Sequence, residues 1–372
     1  MTHHILLTAG GTGGHLFPAQ ALASELGRRG HVVELATDER ADKYGSEFPA
    51  RKTHIIASET LRGRNPISLI KTAWRLASGT FQARHVIKSF KPSVVVGFGG
   101  YPTFPPMFAA KQTGVPSILH EANGVMGRAN KMLAKGATAI ATSIPLANPE
   151  DSWAAKVTET GNPVRDEVIE ASGKPYTPPQ DSGPFHLLVF GGSQGARFFS
   201  DLLPEAVGKL PPELRQRLKI VQQCRPEDLE RVKSAYRDMG VEAELASFFT
   251  DMPARISASH LVVCRSGAGT VSELAVLGRP SILVPLPGSL DQDQAANAKL
   301  LENVGGGWPI RQADLSADRL SSELARFFAE PGLLAQAAQN ALSVGKPDAV
   351  KRLADLVETV AANATQKQGD GA

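Results

Sequence analysis

The chain has 372 residues, which predicts about two domains, and its 42% hydrophobic and 21% charged residues exclude a disordered chain and fit sizeable globular cores. Two cysteines, Cys224 and Cys264, cannot build a disulfide framework and fit a reducing compartment, and no apolar run approaches the roughly 20 residues that span a bilayer. The net charge is only +3, and no nucleic-acid partner is expected.

In chain order, the apolar run His4–Thr8 predicts a buried strand, starting so close to Met1 that no signal peptide is expected. Pro18–Arg29 predicts a helix ending at Gly30, and His31–Ala36 a second strand. Pro66–Phe90 is a long helical stretch interrupted at Gly79, followed by a strand at Ser93–Gly97, a helix at Phe104–Gln112 and a strand at Ser117–His120. Residues 161–184, rich in Pro, Gly and Ser toward their end, predict a linker after a first domain of residues 1–160. Strands are then expected at His186–Phe190, Lys219–Gln223, His260–Cys264 and Ser281–Pro285, with helices at Ala196–Lys209, Pro226–Met239, Asp251–Ala258 and Gly269–Leu277. Short apolar runs separated by amphipathic helices mark an α/β chain with two Rossmann-like, doubly wound parallel sheets, the second domain covering 185–345. Residues 346–363 are expected to form a helix packing back on the first domain, and the polar tail 364–372 to be disordered.

Charge is unevenly spread, because residues 1–160 hold 18 Lys+Arg against 11 Asp+Glu while residues 161–372 hold 22 against 26. No acid occurs between Glu59 and Glu121, a gap containing Arg62, Arg64, Lys71, Arg75, Arg84, Lys88, Lys91 and Lys111. Within it, Ile67, Ile70, Trp74 and Phe81 fall along one helical stretch. Apolar side chains among cations suit shallow insertion into an anionic leaflet.

Gly10-Gly11-Thr12-Gly13-Gly14-His15 follows the first strand and precedes a helix, where glycines permit close backbone approach to an anion and free helix N–H groups face it. Gly191-Gly192-Ser193-Gln194-Gly195-Ala196 repeats the arrangement in the second domain. Neither spells G-x-G-x-x-G, which disfavours a dinucleotide dehydrogenase. Gly99-Gly100-Tyr101 and His120-Glu121-Ala122-Asn123-Gly124 lie at strand ends, where ligands of open α/β sheets bind. Arg265-Ser-Gly-Ala-Gly-Thr-Val-Ser-Glu273 opens a helix in which a carboxylate can take ribose hydroxyls, and Asp291–Asn297 starts another whose polar residues suit a sugar. Asp291-x-Asp293 is a chance-level match, so no metal and no cofactor are expected.

These motifs resemble the MurG family of bacterial peptidoglycan glycosyltransferases, members of the GT-B superfamily, over residues 3–362; Gly161-Asn-Pro-Val-Arg165 belongs to the same set. The resemblance implies an inverting transfer of GlcNAc from UDP-GlcNAc to the C4 hydroxyl of MurNAc in undecaprenyl-pyrophosphoryl-MurNAc-pentapeptide, converting lipid I to lipid II. It implies two domains facing each other across a cleft, and a peripheral location on the cytoplasmic face of the inner membrane, with its anionic surface as a partner. Proteins of cell-wall synthesis or division are candidate partners. Donor positions that carry over are Thr12, Gly13, Gly14, Asn123, Arg165, Ser193, Phe249, Ala268, Gly269, Thr270, Val271, Ser272, Glu273 and Gln294. Gly99, Gly100, Tyr101, His120 and Glu121 are expected at the acceptor. His15, the imidazole of a glycine loop, suits a general base, with steadying the loop as its other role. The chain departs from the family at Ala122, usually Gln, at Gly269, usually larger and apolar, and in Leu286–Leu290, which lacks the usual basic residues and histidine. A UDP-GlcNAc epimerase and a non-catalytic UDP-sugar-binding subunit are the alternatives.

Overall fold

Ile5-Leu6-Leu7, Val94-Val95-Val96 and Leu187-Leu188-Val189 are apolar at every position and almost wholly buried. A strand apolar on both faces is stable between two layers of helices, which calls for parallel sheets. A computed structural model describes residues 1–40, 48–59, 66–147, 149–192, 196–289 and 292–369, and their side chains except at 66–70 and 365–369. The chain divides into two compact units, Met1–Arg165 with Pro347–Ala372, and Asp166–Lys346.

Unit one runs through β1 (His4–Thr8), α1 (Gly13–Arg28), β2 (Val32–Thr37), β3 (Lys52–Ile55), α2 (Pro66–Phe90) and β4 (Val94–Gly97). It continues with α3 (Phe104–Thr113), β5 (Ser117–Glu121), α4 (Arg128–Ala134), β6 (Ala139–Thr142), α5 (Asp151–Ala154) and β7 (Val157–Glu159). Unit two holds α6 (Asp166–Ser172), β8 (Phe185–Phe190), α7 (Arg197–Gly208), α8 (Pro212–Arg215), β9 (Leu218–Gln223), α9 (Leu229–Asp238) and β10 (Glu242–Ala246). Then come α10 (Met252–Ala258), β11 (Leu261–Cys264), α11 (Ala268–Leu277), β12 (Ser281–Leu283), α12 (Asp293–Glu302), β13 (Gly307–Pro309), α13 (Ala317–Ala329) and α14 (Pro331–Ser343). The last helix, α15 (Ala349–Gly369), returns to unit one.

The sheets have strand orders β3-β2-β1-β4-β5-β6-β7 and β10-β9-β8-β11-β12-β13, and the paired strands are parallel. Strand order therefore reverses between β1 and β4 in unit one and between β8 and β11 in unit two. At such reversals the loops leave toward opposite faces and open a ligand crevice beyond the strand ends.

Alternation along β1 sends Ile5 and Leu7 into one core with Leu22, Leu26, Leu353 and Val357 from α1 and α15, and Leu6 into the other with Val86, Ile87 and Met107 from α2 and α3. Arg29 fastens α15 with hydrogen bonds to Asp355 (2.6 Å) and Glu358 (2.9 Å). In unit two, Phe185, Leu187 and Val189 of β8 pack under Phe199, Val232 and Leu320 of α7, α9 and α13.

Four local features differ from expectation. Helix α1 starts at Gly13 rather than Pro18, so the glycine motif itself supplies the first turn and its amides are helix N-terminal amides. Helix α2 is continuous through Gly79. That glycine serves packing, because a Cβ there would run into the Ala57 carbonyl oxygen. The stretch read as a linker contains α6, which is tied into unit two by the Ser257 hydroxyl on Ala171 O (3.1 Å) and Arg279 on Lys174 O (3.0 Å). Helix α15 extends past Ala364 to Gly369, and residues 370–372 of the expected disordered tail lie outside the described residues.

Gly79→Ala is expected to destabilise the protein by about 1–3 kcal/mol, the overpacking cost outweighing the gain of about 1 kcal/mol in helix propensity. Gly27→Ala, whose Cβ would meet nothing within 4 Å, is expected to be neutral or slightly stabilising. Denaturant melts of the two variants check the pair, and equal midpoints would contradict it.

Candidate active site

In unit one, the backbone N–H of Gly10 donates to the Gly99 carbonyl (3.2 Å), bringing the loops after β1 and β4 into contact. Gly99 and Gly100 adopt φ of +91° and +78°, conformations that favour glycine. The His15 ring fills the angle between these loops. A Cβ at Gly99 would stand 3.3 Å from its Nε2, and one at Gly100 3.4 Å from its Nδ1. Thr12 Oγ1 lies 2.9 Å from His15 Nδ1. Burial, with the Arg40 cation adding in the same direction, pushes the imidazole down to about 4. The ring is therefore neutral at physiological pH. No acid occupies the first turn of α1, so no side-chain charge within that turn offsets its N-terminal dipole. Tyr101 opens a short 3₁₀ turn after Gly100, and the Arg165 guanidinium stacks 4.3 Å over Phe17 of α1.

His120 and Glu121, at the end of β5, are 1% and 2% exposed. His120 Nε2 lies 3.3 Å from the Gly161 carbonyl, and its ring packs on Phe98. Glu121 accepts from the backbone amides of Asn123 (3.0 Å) and Gly127 (2.9 Å) and from the side chains of Asn123 (3.0 Å) and Asn130 (2.8 Å). Glu121 holds the loop carrying Asn123 and His120 packs against Gly161 and Phe98, and neither side chain presents itself to solvent. Asn130 is a support that sequence reasoning missed, since nothing in a nine-residue spacing signals it.

In unit two, Gly191 N–H donates to Gln223 Oε1 (3.1 Å) and Gly192 has φ of +85°. Ser193 falls outside the described residues. Helix α11 begins after Gly267 with no acid in its first turn. Its expected donor residues divide by helical phase. Val271 is buried in the core, while Ala268, Gly269, Thr270, Ser272 and Glu273 are partly exposed, with Ser272 Oγ donating back to Ala268 O (2.9 Å). Open space surrounds the position a Cβ would take at Gly269. Gln294 lies in the first turn of α12 with Oε1 accepting from the Leu286 amide (3.0 Å). Phe249 is buried with Arg255 stacked over it at 4.2 Å, whereas its neighbour Phe248 is exposed. The resemblance marked only Phe249 of this pair.

Residues 5–142 match the glycosyltransferase family 28 N-terminal domain and residues 186–353 the family 28 C-terminal domain. The chain belongs to glycosyltransferase family 28. Its family 28 relatives include the UDP-N-acetylglucosamine--N-acetylmuramyl-(pentapeptide) pyrophosphoryl-undecaprenol N-acetylglucosamine transferase of Sinorhizobium fredii, 55% identical over 97% of this chain and 96% of that one. The enzyme of the same name from Brucella abortus is 52% identical over 98% and 96%. Among solved structures, MurG of Acinetobacter baumannii aligns with a TM-score of 0.76 at 28% identity, over 96% of this chain and 100% of that one. A UDP-GlcNAc 2-epimerase from Neisseria meningitidis aligns at 0.65 and 17% identity over 96% and 100%, a likeness of fold alone. The two parallel-sheet units of this family 28 chain are those of the GT-B class.

The depressed basicity of His15 is directly measurable. An NMR titration of the histidine ring protons should place its midpoint near pH 4. A midpoint at the ordinary value near 6.5 would contradict the packing described.

Proposed function

We propose that this chain moves N-acetylglucosamine from UDP-N-acetylglucosamine to the C4 hydroxyl of the muramyl sugar in N-acetylmuramyl-(pentapeptide) pyrophosphoryl-undecaprenol, inverting the anomeric carbon. The observation that carries this reading is the 55% identity, across 97% of the chain, with a transferase of that name.

The geometry supports a division of labour. The acceptor hydroxyl forms its bond to the sugar C1 as UDP departs from the opposite side, and its proton goes to His15. For Nε2 to accept that proton, Nδ1–H must donate to Thr12 Oγ1, so Thr12 sets the tautomer. Gly13, Gly14 and the first turn of α1 stabilise negative charge with backbone N–H groups, as do Ala268–Thr270 at the start of α11, and Arg165 assists. Glu273 takes the ribose hydroxyls and Gln294 the transferred sugar, with Ser193 on phosphate by resemblance. Gly99, Gly100 and Tyr101 border the acceptor. Being buried, Glu121 serves as a support of the Asn123 loop and His120 as a contact to Gly161, rather than as acceptor contacts or as a second base.

A peripheral membrane location follows the same reading. Trp74 and Phe81, seven residues apart on α2, are 69% and 76% exposed, and Lys71, Arg75, Arg84 and Lys88 are exposed on the same helix. Apolar rings ringed by cations suit the headgroup region of an anionic leaflet. The side chains of Ile67 and Ile70 lie outside the described residues, and among the described residues no helix is long and apolar enough to cross a membrane. We place the chain on the cytoplasmic face of the inner membrane, where its lipid-linked acceptor is held.

Incubation with UDP-GlcNAc and a short-chain analogue of the lipid acceptor should yield UDP and disaccharide in equal amounts; UDP without disaccharide would overturn the transferase reading. His15→Ala should lower turnover by about 100-fold or more with UDP-GlcNAc affinity within a few-fold. A base must be unprotonated to act, so wild-type kcat/KM should be constant above, and fall below, a pH of about 4, and this limb should vanish in the variant. Separately, the chain should sediment with anionic vesicles more than with neutral ones, and salt or Trp74→Ser should weaken that association. Equal sedimentation with both vesicle types would exclude the α2 patch as an anchor.

A further inference from the structure

Arg265 follows β11 and is buried, yet its guanidinium meets neutral oxygens rather than a carboxylate. Nη1 donates to the carbonyls of Val284 (3.1 Å) and Pro285 (3.3 Å), and Nη2 donates to Gln312 Oε1 (2.6 Å). The rings of Phe198 and Phe199, in the first turn of α7, lie 5.6 and 5.2 Å from its Cζ. One planar fork thus gathers the end of β12, the 3₁₀ turn at Gln312–Asp314 and the start of α7. A lysine offers a single point of attachment and cannot reach those acceptors together.

The clamped carbonyls immediately precede Leu286, whose backbone N–H donates to Gln294 Oε1 (3.0 Å). From the other side, the hydroxyl of Ser266, next to Arg265, donates to the Gln294 carbonyl (2.8 Å). Asn297 Nδ2 in turn donates to Ser266 O (3.3 Å). Both oxygens of Gln294 are therefore held by a segment that Arg265 and Ser266 order. We propose that Arg265 is a positioning residue for Gln294: its fork fixes the 284–286 turn, and the turn fixes the amide that meets the transferred sugar. The proposal rests on the reading of unit two as the UDP-GlcNAc site. It assigns to Arg265 no contact with the nucleotide.

The test compares donor KM with the inhibition constant of UDP, which lacks the sugar, in the full-length enzyme. Arg265→Lys keeps the charge and loses the fork. It should raise the KM for UDP-GlcNAc about 5- to 20-fold, the span expected when buried hydrogen bonds are lost, while the UDP inhibition constant stays within about 3-fold. Gln294→Ala should give a similar split, and the double variant should be no worse than the poorer single one, as coupled residues require. Ser266→Ala removes only the hydroxyl on Gln294 O and should weaken UDP-GlcNAc in the same selective way, so the proposal stays testable should Arg265→Lys not fold. Equal weakening of UDP and UDP-GlcNAc, full activity in Arg265→Lys, or additive effects in the double variant would each overturn it. Wild-type enzyme without UDP-GlcNAc turnover would instead overturn the functional reading beneath it.

Discussion

The constraint on which unit one depends is the contact between two backbone loops at a strand-order reversal. Gly10 N–H reaches the Gly99 carbonyl where Gly99 and Gly100 hold their loop at positive φ. β1 and β4 are hydrogen-bonded neighbours, so their outgoing loops start side by side and must diverge or interlock. Here they interlock, and the imidazole of His15 becomes the wedge that fills the remaining angle. The shielding of the ring and its low basicity follow from that one approach. Any side chain at Gly99 or Gly100 would meet both an unfavourable φ and the ring itself.

Unit two solves the same topological problem with different material. At its reversal, between β8 and β11, neither outgoing loop contains a histidine in its sequence. Helix α11 begins there without an acid in its first turn, so no side-chain charge in that turn offsets the partial positive charge of its N-terminus. What steadies the surroundings is arginine on carbonyl oxygen. Arg265 does so at the carboxyl ends of the strands, and Arg279 does so below α10 and α11, gathering Ser257 O (2.7 Å) and Lys174 O (3.0 Å). Buried guanidinium groups bonded to carbonyls order loops that have no secondary structure of their own.

Much of this was legible because it rests on residue types with few other uses. Clustered glycines between an apolar run and a helix signal a close-approach turn, and both doubly wound sheets could be read from the fully apolar strands. What escaped were elements whose signals are weak or shared. β3 and β10 are edge strands with exposed charges, and β13 is the tripeptide Gly307-Trp308-Pro309, too short to carry a period. Gly79 was misread because a helix-breaking residue and a helix-packing residue are the same residue. In the site, sequence could not see that Val271 turns away within α11, since that depends on which face the sheet covers. Nor could it see that Glu121 is consumed by its own loop. The role of Arg265 depends on acceptors about 20 and 47 residues away in the chain, which no local pattern encodes.

The return of α15 to unit one has a consequence for synthesis. Leu353, Ala354, Val357 and Ala361 sit in the same core as β1 and α1, so the first unit begun on the ribosome is the last that can be finished. Unit two is continuous from Asp166 to Lys346 and can close as soon as it emerges. Until then, Ile5, Leu22 and Leu26 wait with part of their covering layer still unmade, and the Arg29 side chain waits for Asp355 and Glu358. A ribosome stalled shortly after unit two would hold a folded unit two joined to an incomplete unit one, a nascent chain whose exposed α1 surface is a natural target for a chaperone.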